Sequence, residues 1–173
     1  MSEILEILKY TLPAIIVLIA TIFIVKQIVK NDQSRRNYEI VSKNQQLITP
    51  IRLQAYERLA LLLERISPES LIMRVSKPNM TAKQLQSELL STIRSEFDHN
   101  VSQQIYVTPQ VWEIIKNSRA KLTQLINSAA SRVKPDSPAI NLSKIILEDL
   151  MSQEKSPMSL ALEALKNEVK MLY

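Results

Sequence analysis

Not one of the 173 residues is glycine, where average usage near 7% would place about twelve. Phosphate-cradling loops, dinucleotide fingerprints and nucleophile elbows need glycine for positive φ or close backbone approach. Tight hairpins prefer it as well. A chain of this length without glycine is best served by helices joined by short polar links, so the expected fold class is all-α. Cysteine is absent too. That removes disulfides, thiolate nucleophiles and Cys-based metal sites, and it fits a reducing compartment.

Proline supports the helical reading. Five of the eight prolines follow Ser or Thr: Thr49-Pro50, Ser67-Pro68, Thr108-Pro109, Ser137-Pro138 and Ser156-Pro157. A hydroxyl caps free N–H groups, and proline at the first helical position gives up a donor that had no partner. The rival reading, a set of Ser/Thr-Pro phosphorylation sites, is weaker because each pair precedes an amphipathic stretch.

Residues 10–25 form a run of sixteen without a charge. As a helix it covers roughly 24 Å, against a hydrocarbon core of about 30 Å. Flanking apolar residues and the snorkelling of Lys9 and Lys26 make up the difference. Tyr10 suits an interface, and Pro13 falls near the start of the run, where a lost bond costs least. The expectation is an N-terminal transmembrane helix. A buried core helix would leave one very apolar helix wrapped by a polar remainder. A cleaved signal peptide would want a basic start, whereas Glu3 and Glu6 stand against Lys9.

Lys26, Lys30, Arg35, Arg36 and Lys43 follow, against Asp32 and Glu39. The positive-inside rule then orients the N-terminus outside and the C-terminal part in the cytoplasm of a single-pass inner (plasma) membrane protein. Lys26, Lys30, Arg35 and Arg36 are the candidate contacts to lipid headgroups, at about 1 kcal/mol each near the surface. That these charges merely stop translocation is an equally good account of them. The net charge of +5 is spread too thinly to argue for nucleic acid, and aromatics at 5% leave little for base stacking.

The expected organisation is an anchor over residues 1–30, a polar helical linker over 31–49 with Ile40, Val41, Leu47 and Ile48 as its apolar points, and an all-α helical-bundle domain over 50–173. Ile51, Ala55, Leu59, Leu62 and Ile66 mark a helix beginning at Pro50. A short helix follows over 67–75. Thr81 with Gln84 reads as a capping box, opening a helix with Ala82, Leu85, Leu89, Ile93 and Phe97 inward and Asn100 as a left-handed stop. Residues 101–107 have no helical stripe and favour an extended backbone. Val111, Trp112, Ile115, Leu122, Leu125, Ile126, Ala129 and Val133 line the next helix. Leu142, Ile145, Ile146 and Leu150 line another. Met158, Ala161, Leu162, Leu165, Val169 and Leu172 line the last.

His99 is the single histidine. With Glu96 and Asp98 it invites a metal or acid–base reading, but sequence neighbours on a helix point to different faces. No catalytic residue, metal, cofactor or small-molecule substrate is expected. The least generic stretch is 96–112, which holds the single His, the single Trp and adjacent glutamines between two strong helices. His99, Asn100, Gln103, Gln104, Tyr106 and Trp112 are candidate contacts to a protein partner. The competing account is a structural elbow, with Tyr106 and Trp112 packed inward.

The apolar run, the Arg-Leu-Gln-Ala-Tyr-Glu-Arg-Leu sequence at 52–59 and the 96–112 stretch together resemble a family of uncharacterised bacterial single-span membrane proteins of the Bacteroidetes type. The resemblance covers most of the chain and implies a membrane locality, but no activity, cofactor or catalytic residue. The expected function is a non-enzymatic, membrane-tethered interaction or scaffold protein at the cytoplasmic face. The alternative is a small accessory subunit of a larger transporter or envelope complex.

Overall fold

A computed structural model describes the backbone of residues 2–172 and the side chains of 15–33, 36, 39, 42–43 and 45–171. Expectations placed on the side chains of residues 1–14, Arg35, Ile40, Val41 and Leu172 lie outside the described residues. The described elements are all helical. They are α1 (Ser2–Arg65), α2 (Pro68–Val75), α3 (Ala82–Asn100), a short 3-10 helix (Val101–Ile105), α4 (Pro109–Ser131), α5 (Ala139–Met151) and α6 (Pro157–Leu172). Two compact units divide the chain, Met1–Pro50 and Ile51–Tyr173.

In the first unit the expectation of a transmembrane helix is overturned. Among the described residues no helix is long and apolar enough to cross a membrane. The uncharged run with described side chains is 15–25, eleven residues, or about 16 Å of helix against a hydrocarbon core of about 30 Å. Lys26, Gln27, Lys30 and Asn31 then return polarity to the helix.

Pro50 corrects a second expectation. Thr49-Pro50 starts no helix, because α1 runs through both residues. Proline there withholds the donor that the Gln46 carbonyl would otherwise receive. Gln46 is exposed, so water can stand in for the missing N–H. The other Ser/Thr-Pro pairs divide. The Thr108 hydroxyl accepts from the Val111 N–H, and the Ser156 hydroxyl accepts from the Ser159 N–H at 3.0 Å. Ser67 stands at the N-cap of α2 without a side-chain bond. Ser137 turns its hydroxyl back to the Lys134 carbonyl.

The second unit has one apolar core. Leu59, Leu62 and Leu63 of α1, Ile66 just after it, Leu71 of α2, Leu85, Leu89 and Ile93 of α3, Ile115, Leu122 and Ile126 of α4 and Leu142 of α5 are almost wholly buried. α4 packs against α3, α5 and α6, and α5 also packs against α2 and α3. Apart from Ile51, which is exposed, the described residues of the stripes read from the sequence lie on these faces. The reason is the period: residues three and four apart share one side of a helix, and burying each leucine contributes about 1.5–3 kcal/mol.

The starts of α3 and α5 cap each other. Ala82 N–H donates to Ser137 O at 2.8 Å, Lys83 N–H to Pro135 O at 3.1 Å, and Ala139 N–H to Met80 O at 2.9 Å. The Thr81–Gln84 capping box is present as expected. The left-handed residue lies here, at Asn79 with φ 62°, and not at Asn100, whose φ is −107°. Asparagine is among the few non-glycine residues that take this conformation routinely.

Residues 101–105 are not extended. The Asn100 amide donates back to the Glu96 carbonyl at 2.8 Å, occupying an acceptor that the regular ladder would use. The chain then tightens into the 3-10 turn, which Tyr106 N–H closes on Gln103 O at 3.1 Å. Gln103 and Val107, four apart, both face inward. Tertiary burial overrides the extended preference of the β-branched residues.

Candidate functional site

The 3-10 helix and its flanks hold every predicted partner-contact residue, and the structure sorts them. His99 and Gln104 are exposed, and Tyr106 is half-buried. Asn100, Gln103 and Trp112 are buried, each 8% exposed. Asn100 spends its amide on the Glu96 carbonyl. Gln103 donates to the Ser102 hydroxyl at 3.3 Å. Trp112 stacks on Phe97 with centroids 5.4 Å apart, and the Arg119 guanidinium lies 4.3 Å over the other aromatic partner, Phe97. Beside His99 and Gln104, Val101 and Ile105 are exposed, Ile105 at 73%.

Beneath this surface lies a polar cluster that the sequence reading missed. Glu168 of α6 is 8% exposed. It accepts the Tyr56 hydroxyl at 2.6 Å, the Thr108 N–H at 3.0 Å and the Thr108 hydroxyl. Arg52 completes the set, donating through Nη2 to the Tyr56 oxygen at 3.2 Å and through Nε to the Tyr106 carbonyl at 3.3 Å. A carboxylate at the first turn of α4 also meets the positive end of that helix. Burial, and then the hydrogen bond to Glu168, push the Tyr56 hydroxyl up to about 12. Every buried polar side-chain atom among the described residues has a partner.

A signal for this cluster was present. Arg52 and Tyr56 stand four apart on α1, inside the run that carried the family resemblance. Glu168 falls on the inward stripe of α6, three after Leu165 and seven after Ala161. A carboxylate in an apolar stripe is rarely buried without partners.

Glu96, read as a neighbour of His99, serves charge pairing. Its Oε1 receives Arg65 Nη2 at 2.6 Å and Arg74 Nη2 at 3.3 Å, joining the ends of α1 and α2 to α3. Among the described residues no group of three His, Cys, Asp or Glu side chains could hold a metal ion.

In the first unit, the large apolar side chains from Ile15 to Val29 are exposed, from 48% at Ile22 to 70% at Phe23. Lys26, Lys30, Arg36 and Lys43 are exposed as well, with Arg36 paired to Asp32 at 3.0 Å.

A family of unknown function, DUF7935, matches residues 2–172, and the chain belongs to that family. The resemblance seen in the sequence is met at this level, as a family without an assigned activity along nearly the whole chain. No curated protein and no solved structure matches the chain.

Proposed function

We propose that this member of the family is a non-enzymatic helical interaction protein of bacterial, Bacteroidetes-type origin. It is held at the cytoplasmic face of a membrane, and residues 51–173 present a surface there to a partner protein. One observation carries the reading: every large apolar side chain from Ile15 to Val29 is exposed. Consecutive helical positions point around the whole circumference, so packing one face on one neighbour would leave the others in water. Exposed apolar patches beyond a few hundred Å² mark interaction sites, and a helix lying at the lipid interface sinks apolar side chains into the headgroup–acyl boundary. The exposed Lys26, Lys30, Arg36 and Lys43 that follow suit anionic headgroups, which are concentrated on the cytoplasmic leaflet. The reading requires apolar contact with lipid and no crossing.

Flotation of the full-length chain with vesicles of mixed zwitterionic and anionic lipid tests the attachment. The chain should float with the vesicles, and Ile19→Asp with Phe23→Asp should leave it at the bottom of the gradient. Failure of the unaltered chain to float would end the membrane reading. Cross-linking in native membranes tests the partner. Repeating it with residues 15–25 replaced by an unrelated apolar sequence separates the two roles. Retained cross-links favour a tether, and lost ones favour an accessory subunit that packs through this segment.

A further inference from the structure

The starts of α2 and α6 meet the end of α1 around a cavity of about 170 Å³. We propose that this cavity seats one lysine side chain of the partner protein, with its methylenes on an apolar floor and its ammonium between Glu64 and Glu69. The proposal deepens the reading above and rests on it only in taking the occupant from a protein.

Size and floor set the first limit. Sites for drug-sized molecules run to roughly 300–1,000 Å³, so a cavity of about 170 Å³ suits a single side chain. Leu63 of α1 is 1% exposed and Met158 of α6 is 3% exposed, with Leu162 partly buried beside them. A lysine stem lies along such apolar surface while its charged head stays in water. Side chains of this kind, seated in pockets, anchor protein interfaces.

Charge sets the second limit. Glu64 and Glu69 line the same cavity and are exposed, and among the described residues neither has an ion-pair partner. Two helix starts alone would favour an anion, at about +0.5 of a charge each. Two full carboxylates outweigh them and leave roughly one net negative charge. Both helices also open on proline, Pro68 and Pro157, which brings no N–H to an anion. The Ser159 N–H is already spent on the Ser156 hydroxyl at 3.0 Å. Acceptors remain, because the Ser67 hydroxyl, which lines the cavity, makes no capping bond. An ammonium carries three donors, and Glu64, Glu69 and Ser67 offer one acceptor side chain for each. Two carboxylates are too few for a metal ion. The chain does not fill the cavity with Lys155, the cation next to Ser156, since Glu163 holds it at 2.8 Å.

The experiment titrates the full-length chain, carrying carbon-13 in its methionine methyls, with the capped peptide Ala-Lys-Ala. The Met158 methyl signal should shift to saturation, and that of Met73, which is 84% exposed and does not line the cavity, should not. Acetylating the peptide's lysine removes its charge and should weaken binding about tenfold. Glu64→Gln combined with Glu69→Gln should weaken the unmodified peptide to the same degree. The proposal is overturned if Met158 shows no saturable shift, if the acetylated peptide binds equally well, or if the double variant binds unchanged. Should the double variant fail to fold, the acetylated peptide on the unaltered chain decides. In native membranes the double variant should also lose its cross-links to the partner, and retained cross-links overturn the proposal. Peptide binding is read without lipid, and flotation is read without the peptide. Failure of the pocket and failure of the membrane reading are therefore told apart.

Discussion

Tyr56 donates its hydroxyl hydrogen to Glu168 at 2.6 Å across 112 residues of sequence, and this bond ties α1 to α6. Its energetics depend on pH in a direction that can be worked out. Burial and the carboxylate raise the Tyr56 hydroxyl from 10.0 to about 12. A group whose folded pKa is raised contributes stability that is fully present below the unfolded value and is lost as pH climbs through the folded one. The window therefore runs from about 10 to about 12, and the contribution is on the order of 2–3 kcal/mol.

Tyr56→Phe should lower stability at neutral pH by about 1–3 kcal/mol, since it removes one donor from a buried carboxylate. It should also flatten part of the alkaline loss. Denaturant midpoints of the two proteins at several alkaline pH values check this. The gap between them should narrow as pH rises through the window, because the unaltered protein loses there what the variant never had. A gap constant across that range would show that Tyr56 is not the titrating group.

Burial separates Leu89 from Met73. Leu89 is 1% exposed and Met73 is 84% exposed. Leu89→Ala should cost about 2–5 kcal/mol, from lost transfer energy and the cavity left in the core. Met73→Ala should change stability by less than about 0.5 kcal/mol. Urea unfolding of both variants reads the difference, and comparable losses would contradict the placement of the core.

These examples show where the sequence speaks and where it is silent. The stripe Ala82, Leu85, Leu89, Ile93 and Phe97 was legible because helical period and apolar character coincide, and all five are buried. The Thr81 capping box was legible because its two bonds are local. The Tyr56–Glu168 bond was not, since no local pattern selects one partner across 112 residues. The turn at Val101–Ile105 was misread for the same reason. Local propensity favours extension, and the Asn100 amide on Glu96, with inward burial of Gln103 and Val107, decides otherwise. Of the predicted partner contacts, the sequence located the segment. It could not separate the buried Asn100, Gln103 and Trp112 from the exposed His99 and Gln104, because that division depends on which side of the segment tertiary packing covers.

Pro50 lies inside α1, at the last residue of the first compact unit. An interior proline costs about 3 kcal/mol of local helix stability through the missing bond and its ring's clash. Pro50→Ala restores the donor to the Gln46 carbonyl. Amide exchange over residues 46–54 should slow in the variant, with protection elsewhere in residues 51–173 unchanged. Faster exchange there would mean that the proline supports the helix at this point.

Asn79 supplies the left-handed turn that other chains give to glycine. Its φ is 62°, and the turn delivers Met80 to accept the Ala139 N–H at 2.9 Å. A residue with a plain Cβ pays about 1–2 kcal/mol in this region, so Asn79→Ala should destabilise by about that amount. Asn79→Gly should be neutral or gain a few tenths of a kcal/mol, since glycine has no Cβ to crowd the turn, though it is freer in the unfolded chain. Thermal unfolding of the two variants orders them. If alanine proves as good as glycine, the link between α2 and α3 does not hold its left-handed turn in solution, and the mutual capping of α3 and α5 has another origin.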